Sequence, residues 1–211
     1  MPFVHADPGN PPGSFFRLMP VFFFLFPRSS RIVSVMHTIP PHTENPVLRE
    51  MACEVPSGEI PSPRIRALIA DMKKLLAKEK FGVALAAPQV GEALRIFVVS
   101  GKALARDQAE SETADATYVD QIYINPVMTK LSRGKSDKHE GCLSIRGKWG
   151  EVPRTEKATV RALDEHGRPF TRGASGFLAH IIQHEMDHLA GVLYIDKATN
   201  VYDEKDNDAA Q

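Results

Sequence analysis

The chain is poor in the residue types that mark several protein classes. It has only two cysteines in 211 residues, Cys53 and Cys142. Two cysteines are too few for a disulfide framework and favour reduced thiols in a reducing compartment. Net charge is also lacking, because 26 lysines and arginines balance 26 aspartates and glutamates. No overall electrostatic field therefore favours a nucleic acid or an anionic membrane as the partner.

A long apolar run is missing as well. The apolar run at residues 21–26 is far shorter than the roughly 20 residues that a membrane-spanning helix needs, so no membrane span is predicted. Residues 1–36 are basic and poor in acids, as signal and organelle-transit segments are, but Pro20 and Pro27 oppose a long helix. We interpret residues 1–36 as an extension upstream of the true start at Met36, with a targeting segment as the alternative.

What remains has the composition of a globular domain, with 43% hydrophobic and 25% charged residues. Apolar residues in 61–80 recur at i, i+3, i+4 and i+7, which predicts an amphipathic helix. A second helix is predicted over 175–191, with Ser175 as its N-cap and Gly191 as its stop. Residues 101–120 are acidic and are predicted to form a solvated loop.

Short β-rich runs predict strands between and after these elements. They lie at 95–100, at 121–126 with Pro126 as the stop, around Cys142, and at two runs within 157–173 that a turn at 165–167 joins. Strands followed by a terminal helix predict an α+β fold. We therefore divide the chain into the extension 1–36, a domain at 37–200 and an acidic tail at 201–211.

The sequence "QHEMDHLAGVLY" at 183–194 contains the H-E-x-x-H pattern of zinc peptidase helices. His184 and His188 are four residues apart, so on a helix both imidazoles can face one ion. Glu185 lies at the flank of that face, where it reaches a water on the metal without being a ligand. The simpler alternative is that both histidines are ordinary surface or core residues.

The third ligand that a zinc peptidase needs is absent after the motif. One class of peptidases has a histidine where this chain has Tyr194, and the glutamate used by another class would have to be Glu204, in the acidic tail. His180 is eight residues from His188, about 12 Å along a helix, which is too far to share one ion. A third ligand must therefore come from upstream, and Cys142 is the candidate, with a buried packing role as its alternative.

Three segments in this order resemble the signature segments of peptide deformylases: "GVALAAPQVG" (82–91), "EGCLS" (140–144) and "QHEMDHLAG" (183–191). The similarity continues through "VPRTEKATVRALDEHGRPF" (152–170) and covers roughly residues 40 to 198. The resemblance implies an α+β fold with small antiparallel β-sheets packed around a C-terminal metal-binding helix. It also implies removal of the formyl group from N-formylmethionine at the start of new polypeptides, with release of formate.

The resemblance also assigns the metal ligands and the mechanism. Cys142, His184 and His188 would hold one divalent ion per chain, commonly Fe²⁺, with Zn²⁺ or Ni²⁺ able to replace it. Metal-bound hydroxide would attack the formyl carbon, with Glu185 as general base and then general acid. The oxygen that gains charge would be stabilised by two further residues of the family pattern, through the Gln89 side-chain amide and the Leu143 backbone N–H.

The resemblance places the substrate more loosely. Gly82 and Val83 match positions where the substrate pairs as an added strand. Phe177, His180 and Ile181 match positions that line the pocket for the methionine side chain.

Glu140 and Arg154 are expected to bond to each other and to steady the Cys142 segment. Three positions depart from the family pattern: Ala84 replaces a glycine, His180 makes the pocket more polar, and Arg146 stands where proline is frequent. Because none of the three is an assigned ligand or catalytic residue, activity is expected, with weaker substrate affinity as one consequence.

Three rival functions differ in what they require. A metal peptidase lacks its third ligand here, and a structural metal domain takes four protein ligands where we find three. A non-catalytic relative that only binds peptides is favoured by Ala84 alone. The expected partners are N-formylmethionyl nascent peptides and, transiently, the ribosome. The expected location is the bacterial cytoplasm, or an organelle if residues 1–35 are a transit segment.

Overall fold

A computed structural model describes residues 37–108 and 119–204. Its strands, numbered in chain order, are β1 Ala84–Ala86, β2 Ile96–Val99, β3 Gln121–Leu131, β4 Lys135–Cys142, β5 Ile145–Thr155, β6 Lys157–Leu163, β7 Pro169–Ser175 and β8 Asn200–Asp203. A five-stranded sheet has the order β1-β2-β3-β6-β7, and a three-stranded sheet has the order β4-β5-β8. All strand pairs in both sheets are antiparallel.

Within the described ranges, three α-helices accompany the sheets: α1 Pro63–Lys78, α2 Gly101–Gln108 and α3 Gly176–Leu189. The side chain of Ser62 caps α1 by accepting a hydrogen bond from the Ile65 N–H at 3.3 Å. Both predicted helices are present, as α1 and α3. The predicted α+β class, with small antiparallel sheets around the last helix, is confirmed.

The larger sheet separates two hydrophobic core clusters. Because successive side chains of a strand point to opposite faces, Ile96 and Val98 of β2 pack with α1, whereas Phe97 and Val99 pack with α3. All four residues are fully buried. The sheet is therefore covered on both faces, and α3 lies at the centre of the fold against β1, β2, β5, β6 and β7.

The smaller sheet brings the Cys142 segment to α3. Strands β4 and β5 form a hairpin in which Cys142 pairs with Ile145, so only two residues make the turn. Cys142 packs at the edge of a third core cluster, which includes Val152 of β5 together with Leu193 and Tyr194 after α3. The hairpin thus fixes the end of β4 beside the last helix.

The predicted loop at 101–120 is wrong for its first part, because Gly101–Gln108 forms α2. The signal was local: the Ser100 hydroxyl accepts a hydrogen bond from the Ala103 N–H at 3.2 Å, which is an N-cap. Ala103 and Leu104 are buried in the core cluster that contains α3. Residues 109–118 lie outside the described part.

The prediction that Pro126 stops a strand is also wrong, because β3 continues to Leu131. The register against β6 shifts between Ile124 and Val127, so the proline sits in a bulge where its missing N–H costs no ladder bond. Asn125 adopts a φ of 49° there, and its side chain bonds both backbone groups of Val55 at 2.8 Å.

Two predictions at the ends of elements need correction. The predicted tail begins inside a strand, because β8 pairs with β5 through Asp203, and only residues 205–211 of the tail lie outside the described part. Ser175 occupies the N-cap position of α3, but its side chain makes no capping hydrogen bond. The predicted extension 1–36 also lies outside the described residues. None of the helices in the described ranges has the length and apolar character needed to cross a bilayer.

Gly191 ends α3 as predicted, for two reasons that give a stability test. Its φ is +73°, and a Cβ built there would lie 2.9 Å from the backbone oxygen of Arg49. Gly191→Ala should lower the free energy of unfolding by about 1–3 kcal/mol, because the left-handed conformation becomes strained. Chemical denaturation measures this. Gly58→Ala is the matched control, since a Cβ at Gly58 meets nothing within 4 Å; equal effects of the two substitutions would contradict the explanation.

Candidate metal centre and active site

The end of β4 and one face of α3 bring a sulfur and two imidazoles together. The ligand atoms of Cys142, His184 and His188 all lie within 4.8 Å of one another. The Cys142 Sγ is 3.4 Å from the His188 Nε2. The two imidazole rings, one helical turn apart, have centroids 4.9 Å apart and planes at 80°. The three residues predicted as ligands therefore converge, although 42 residues of sequence separate the cysteine from the first histidine.

The two histidines have different electrostatic surroundings. Burial and the neighbouring His184 hold the pKa of His188 well below its ordinary value, which leaves a neutral ring with a lone pair to offer. Burial also acts to lower the pKa of His184. Its contacts with Cys142 and Glu140 outweigh burial and raise that pKa well above the ordinary value.

Glu185 lies beside this cluster as a buried acid. Its side chain is 3% exposed, and its Oε2 has no hydrogen-bond partner among the described residues. Burial raises the pKa of Glu185 to about 7, against an opposing effect of His184. A carboxyl with a pKa near 7 and one oxygen free of partners among the described residues is suited to carry protons.

Glu140 fixes His184 from behind. Its Oε2 accepts a hydrogen bond from the His184 Nδ1 at 2.7 Å, and Arg154 binds both of its oxygens, with Nε at 2.5 Å and Nη2 at 2.9 Å. Burial would raise the pKa of Glu140. Hydrogen bonds from Arg154, His180 and His184 outweigh burial and hold that pKa well below its usual range. The expected bond between Glu140 and Arg154 is therefore present, between two buried side chains.

Arg154 also joins β5 to α3. Its Nη1 donates to Asp187 at 2.6 Å, and Asp187 accepts a second bond from Lys197, also at 2.6 Å. Gln183 adds another link, because its side chain bonds the backbone N–H and C=O of Thr155 at 3.0 and 2.9 Å. Sequence reasoning missed Asp187 and Gln183. Gln183 lies one residue before His184 on the predicted helix, and Asp187 lies three residues after it. Their closeness to His184 was the available signal.

Gln89 presents its amide nitrogen to the cluster. Its Oε1 accepts a hydrogen bond from the Ala86 N–H at 2.8 Å, which fixes the amide orientation. Its Nε2 therefore faces the site, 3.5 Å from the Cys142 Sγ and 3.4 Å from the Ser144 hydroxyl. Leu143 follows Cys142 in the hairpin turn, and its side chain packs against the core cluster of α1.

The donor set fits a divalent transition metal ion. One thiolate and two imidazoles are ligands of Zn²⁺, Fe²⁺ and Ni²⁺, and three protein ligands leave one position of a tetrahedral site open. The His184 Nδ1 is bonded to a carboxylate, which is how proteins orient metal-binding imidazoles through the other ring nitrogen. The unpartnered Glu185 Oε2 beside these ligands is the group that a bound water would meet.

Comparison with known proteins decides the family. A family model described as polypeptide deformylase matches residues 41–204. The chain belongs to the peptide deformylase family. Deformylases remove N-formyl groups from nascent polypeptides and depend on a metal. The predicted family and its enzymatic character are thereby confirmed.

Individual deformylases resemble the chain over most of its length. Peptide deformylase 1 of Clostridium perfringens is 44% identical over 133 residues, which cover 63% of this chain and 80% of that protein. Peptide deformylase 1A, chloroplastic/mitochondrial, of Arabidopsis thaliana is 41% identical over 157 residues, or 72% of this chain. The match spans only 58% of the Arabidopsis protein. A crystal structure of the Acinetobacter baumannii class I type b deformylase bound to Met-Ala-Ser has a TM-score of 0.65 at 28% identity, covering 78% of this chain and 99% of that one.

The residues predicted to contact substrate occupy different environments. Val83 precedes β1, and its carbonyl accepts a hydrogen bond from the Ser100 N–H at 2.9 Å. The Gly82 N–H donates a hydrogen bond to the backbone carbonyl of Glu79. Phe177 is 41% exposed at the start of α3. Ile181 is buried in the core cluster of α3, and His180 contacts Glu140. Their roles toward a deformylase substrate stay predictions.

Two of the three departures from the family pattern, Ala84 and Arg146, make ordinary packing and ion-pair contacts; the third, His180, is the residue that contacts Glu140. Ala84 is buried in β1 within the core cluster of α3. Arg146 extends to Glu79 at the end of α1, with nitrogen–oxygen distances of 2.7 and 3.2 Å. Cys142, His184 and His188, the predicted metal ligands, still converge in the presence of these contacts.

The buried Glu140–Arg154 pair should be far more important for stability than an exposed pair of the same type. Arg154→Met leaves the Glu140 carboxylate buried without its main partner, and we expect a loss of about 3–5 kcal/mol in the free energy of unfolding. Arg146→Met is the matched control, because the Arg146–Glu79 pair is largely exposed and should contribute at most about 1 kcal/mol. Urea unfolding of the metal-free proteins tests this. Similar losses in both variants would show that burial of the pair does not matter.

Proposed function

We propose that this protein hydrolyses the N-formyl group from the initiator formylmethionine of newly made polypeptides and releases formate. The observation that carries the proposal is the convergence of the Cys142 sulfur with two imidazoles of α3, together with the buried Glu185, whose Oε2 has no hydrogen-bond partner among the described residues. Membership of the family supports the proposed reaction. The geometry of the site supports the roles proposed for individual residues of this chain.

Cys142, His184 and His188 are the proposed ligands of one divalent ion per chain. Fe²⁺ is the proposed physiological ion, and Zn²⁺ or Ni²⁺ suit the same donors. A bound ion supplies Lewis acidity, which lowers the pKa of a coordinated water towards about 7. The chain prepares the ligands in advance, because Glu140 holds the His184 ring and the hairpin turn holds the thiol.

Glu185 is the proposed proton carrier. It accepts a proton from the attacking water and delivers it to the amine that leaves as the formyl C–N bond breaks. Its pKa near 7 matches both halves of this task, since a group with that pKa accepts and releases protons readily at neutral pH. The absence of a competing partner at Oε2 among the described residues leaves that oxygen available.

Gln89 and Leu143 are the proposed donors to the formyl oxygen as it gains negative charge. The Ala86 N–H holds the Gln89 Oε1, so the Nε2 donor is already aimed at the site before substrate arrives. Such prepositioned donors need no reorganisation during the reaction. The Leu143 N–H is the second donor because it directly follows the ligand Cys142 in the turn.

The substrate is proposed to lie as an extended strand along Gly82 and Val83, with its methionine side chain toward Phe177 and Ile181 on α3. The Acinetobacter baumannii relative binds Met-Ala-Ser, which is the peptide that deformylation of formyl-Met-Ala-Ser would leave. His180 was also predicted to line this pocket. Because the proposed substrate is a nascent chain, which emerges from the ribosome, we propose the ribosome as a transient partner.

The positions of two residues argue against the alternative function of a metal peptidase. Tyr194, which replaces the third histidine of one peptidase class, donates its hydroxyl to the Lys148 carbonyl at 2.9 Å and is buried. Glu204 follows β8 in the smaller sheet and is exposed, with its backbone N–H bonded to Gly147. Among the described residues, Glu204 is not part of the group that Cys142 forms with the two histidines.

The location of the protein is proposed as the bacterial cytoplasm, or an organelle of bacterial descent if residues 1–35 direct transport. The name of the Arabidopsis relative assigns that protein to chloroplasts and mitochondria. Formylated protein starts occur in both settings, so the proposed reaction is compatible with either.

The reaction itself gives a direct test. Purified protein loaded with Fe²⁺ without oxygen should release formate from formyl-Met-Ala-Ser, measured with formate dehydrogenase, and should leave acetyl-Met-Ala-Ser uncleaved. Removal of the metal by a chelator should abolish release, and readdition should restore it. If protein with a fully occupied metal site releases no formate, the result would favour the alternative function, in which this chain only binds peptides.

Glu185→Gln tests the assigned proton carrier. The amide keeps the shape of the side chain but accepts no proton, so turnover should fall on the order of 10²–10⁴-fold while metal content is unchanged. Formate release and elemental analysis measure the two quantities on the same sample. Glu54→Gln, at an exposed glutamate, is the control and should keep full turnover. A fully active Glu185→Gln would assign the proton transfer to another group.

A further inference from the structure

His180 points toward Glu140, a contact that its predicted role as a pocket residue did not require. Its Nε2 lies 3.0 Å from the Glu140 Oε1, and its side chain is 12% exposed. On α3 it lies one turn before His184, so the two imidazoles approach the same carboxylate from one helix face.

The four nitrogen contacts on Glu140 fill both of its oxygens. Oε1 lies within bonding distance of the Arg154 Nε at 2.5 Å and of the His180 Nε2 at 3.0 Å. Oε2 accepts from the Arg154 Nη2 at 2.9 Å and from the His184 Nδ1 at 2.7 Å. An ionised carboxylate has about four lone-pair positions, so His180 completes the set. Without His180, Oε1 would keep one donor in a buried site.

The His180 ring is itself held in place. The Phe177 ring packs against it edge to face, with centroids 6.0 Å apart and planes at 80°. Phe177 lies about one turn before the histidine on α3. A donor held in this way limits rotation of the Glu140 carboxylate, which in turn fixes the plane of the His184 ring.

We propose that His180 is a positioning residue for the metal ligand His184, acting through Glu140. This inference rests on the proposed metal-dependent function. It assigns to a position expected to line the methionine pocket a role in metal retention. A neutral imidazole with its proton on Nε2 is sufficient for this role, since Glu140 is ionised and accepts the bond.

A pair of substitutions separates the hydrogen bond from the bulk of the side chain. His180→Leu removes the donor, whereas His180→Gln keeps a nitrogen donor at about the position of Nε2. Changes in groups that orient metal ligands typically cost 10–100-fold in metal affinity. We expect His180→Leu to weaken Zn²⁺ binding on the order of 10-fold, and His180→Gln to stay within about 3-fold of the unchanged protein.

Competition with a chromophoric chelator measures the Zn²⁺ dissociation constant on the full-length chain. The Co²⁺-loaded proteins provide a second measurement, because their visible absorption reports the geometry of the ligands. We expect a changed Co²⁺ spectrum for His180→Leu alone. His166→Leu is the control, since it removes an exposed histidine outside the site and should leave the Zn²⁺ affinity unchanged.

Thermal melts of the metal-free proteins detect a purely structural effect. Should His180→Leu melt far below the unchanged protein, His180→Phe, which keeps a ring beside Phe177 without the donor, takes its place in the comparison. Equal Zn²⁺ affinities for the donor-free variant and the unchanged protein would overturn the inference. So would a loss in His180→Gln as large as that in His180→Leu.

The Michaelis constant for formyl-Met-Ala-Ser separates positioning from substrate binding. A raised KM in both His180 variants, with Zn²⁺ affinity intact, would return His180 to the methionine pocket and overturn its positioning role. Failure of the proposed function would look different, because the unchanged protein would then fail to bind metal or to release formate.

Discussion

The structure of the site depends on one buried carboxylate. Glu140, near the end of β4, accepts bonds from Arg154 on β5 and from His184 on α3. It therefore ties the hairpin that carries the thiol to the helix that carries the imidazoles. Arg154 makes this arrangement tolerable, because a carboxylate buried without a cation would be protonated or would destabilise the fold. Arg154 also binds α3 directly through Asp187, and Gln183 of α3 bonds Thr155 of β5, so the helix is held against the hairpin by contacts beyond those of Glu140.

Hydrophobic packing also positions the site. The larger sheet is covered by α1 on one face and by α3 on the other, which places the helix of the two histidines in the interior. Within the described residues the Glu185 Oε2 has no hydrogen-bond partner, and burial on this helix raises the pKa of Glu185 towards neutrality. Burial that would be a cost elsewhere thus suits Glu185 to its proposed role as proton carrier. The same burial lowers the pKa of His188, and the proposed role as metal ligand requires a neutral imidazole.

Much of the fold could be predicted from local patterns, and the errors have physical causes. The amphipathic spacing of α1 and the H-E-x-x-H spacing of α3 are local properties, and both predictions are confirmed. The loop predicted at 101–120 failed because acids later in that segment hid a short helix capped by Ser100. The strand end predicted at Pro126 failed because a bulge accommodates the proline. Strand β8, which reaches into the predicted tail, was missed because its pairing partner, β5, lies some 50 residues away in the sequence.

The sequence by itself determined the chemistry of the candidate site: two imidazoles and an acid at helical spacing, and family segments that name a thiol as the third ligand. Spacing along one helix follows from 3.6 residues per turn and needs no tertiary information. Only the tertiary structure decided what surrounds those groups. It places the Cys142 sulfur 3.4 Å from the His188 ring and turns His180 toward Glu140. The reason is that contacts between residues 40 or more apart depend on how strands and helices pack, which no local pattern contains.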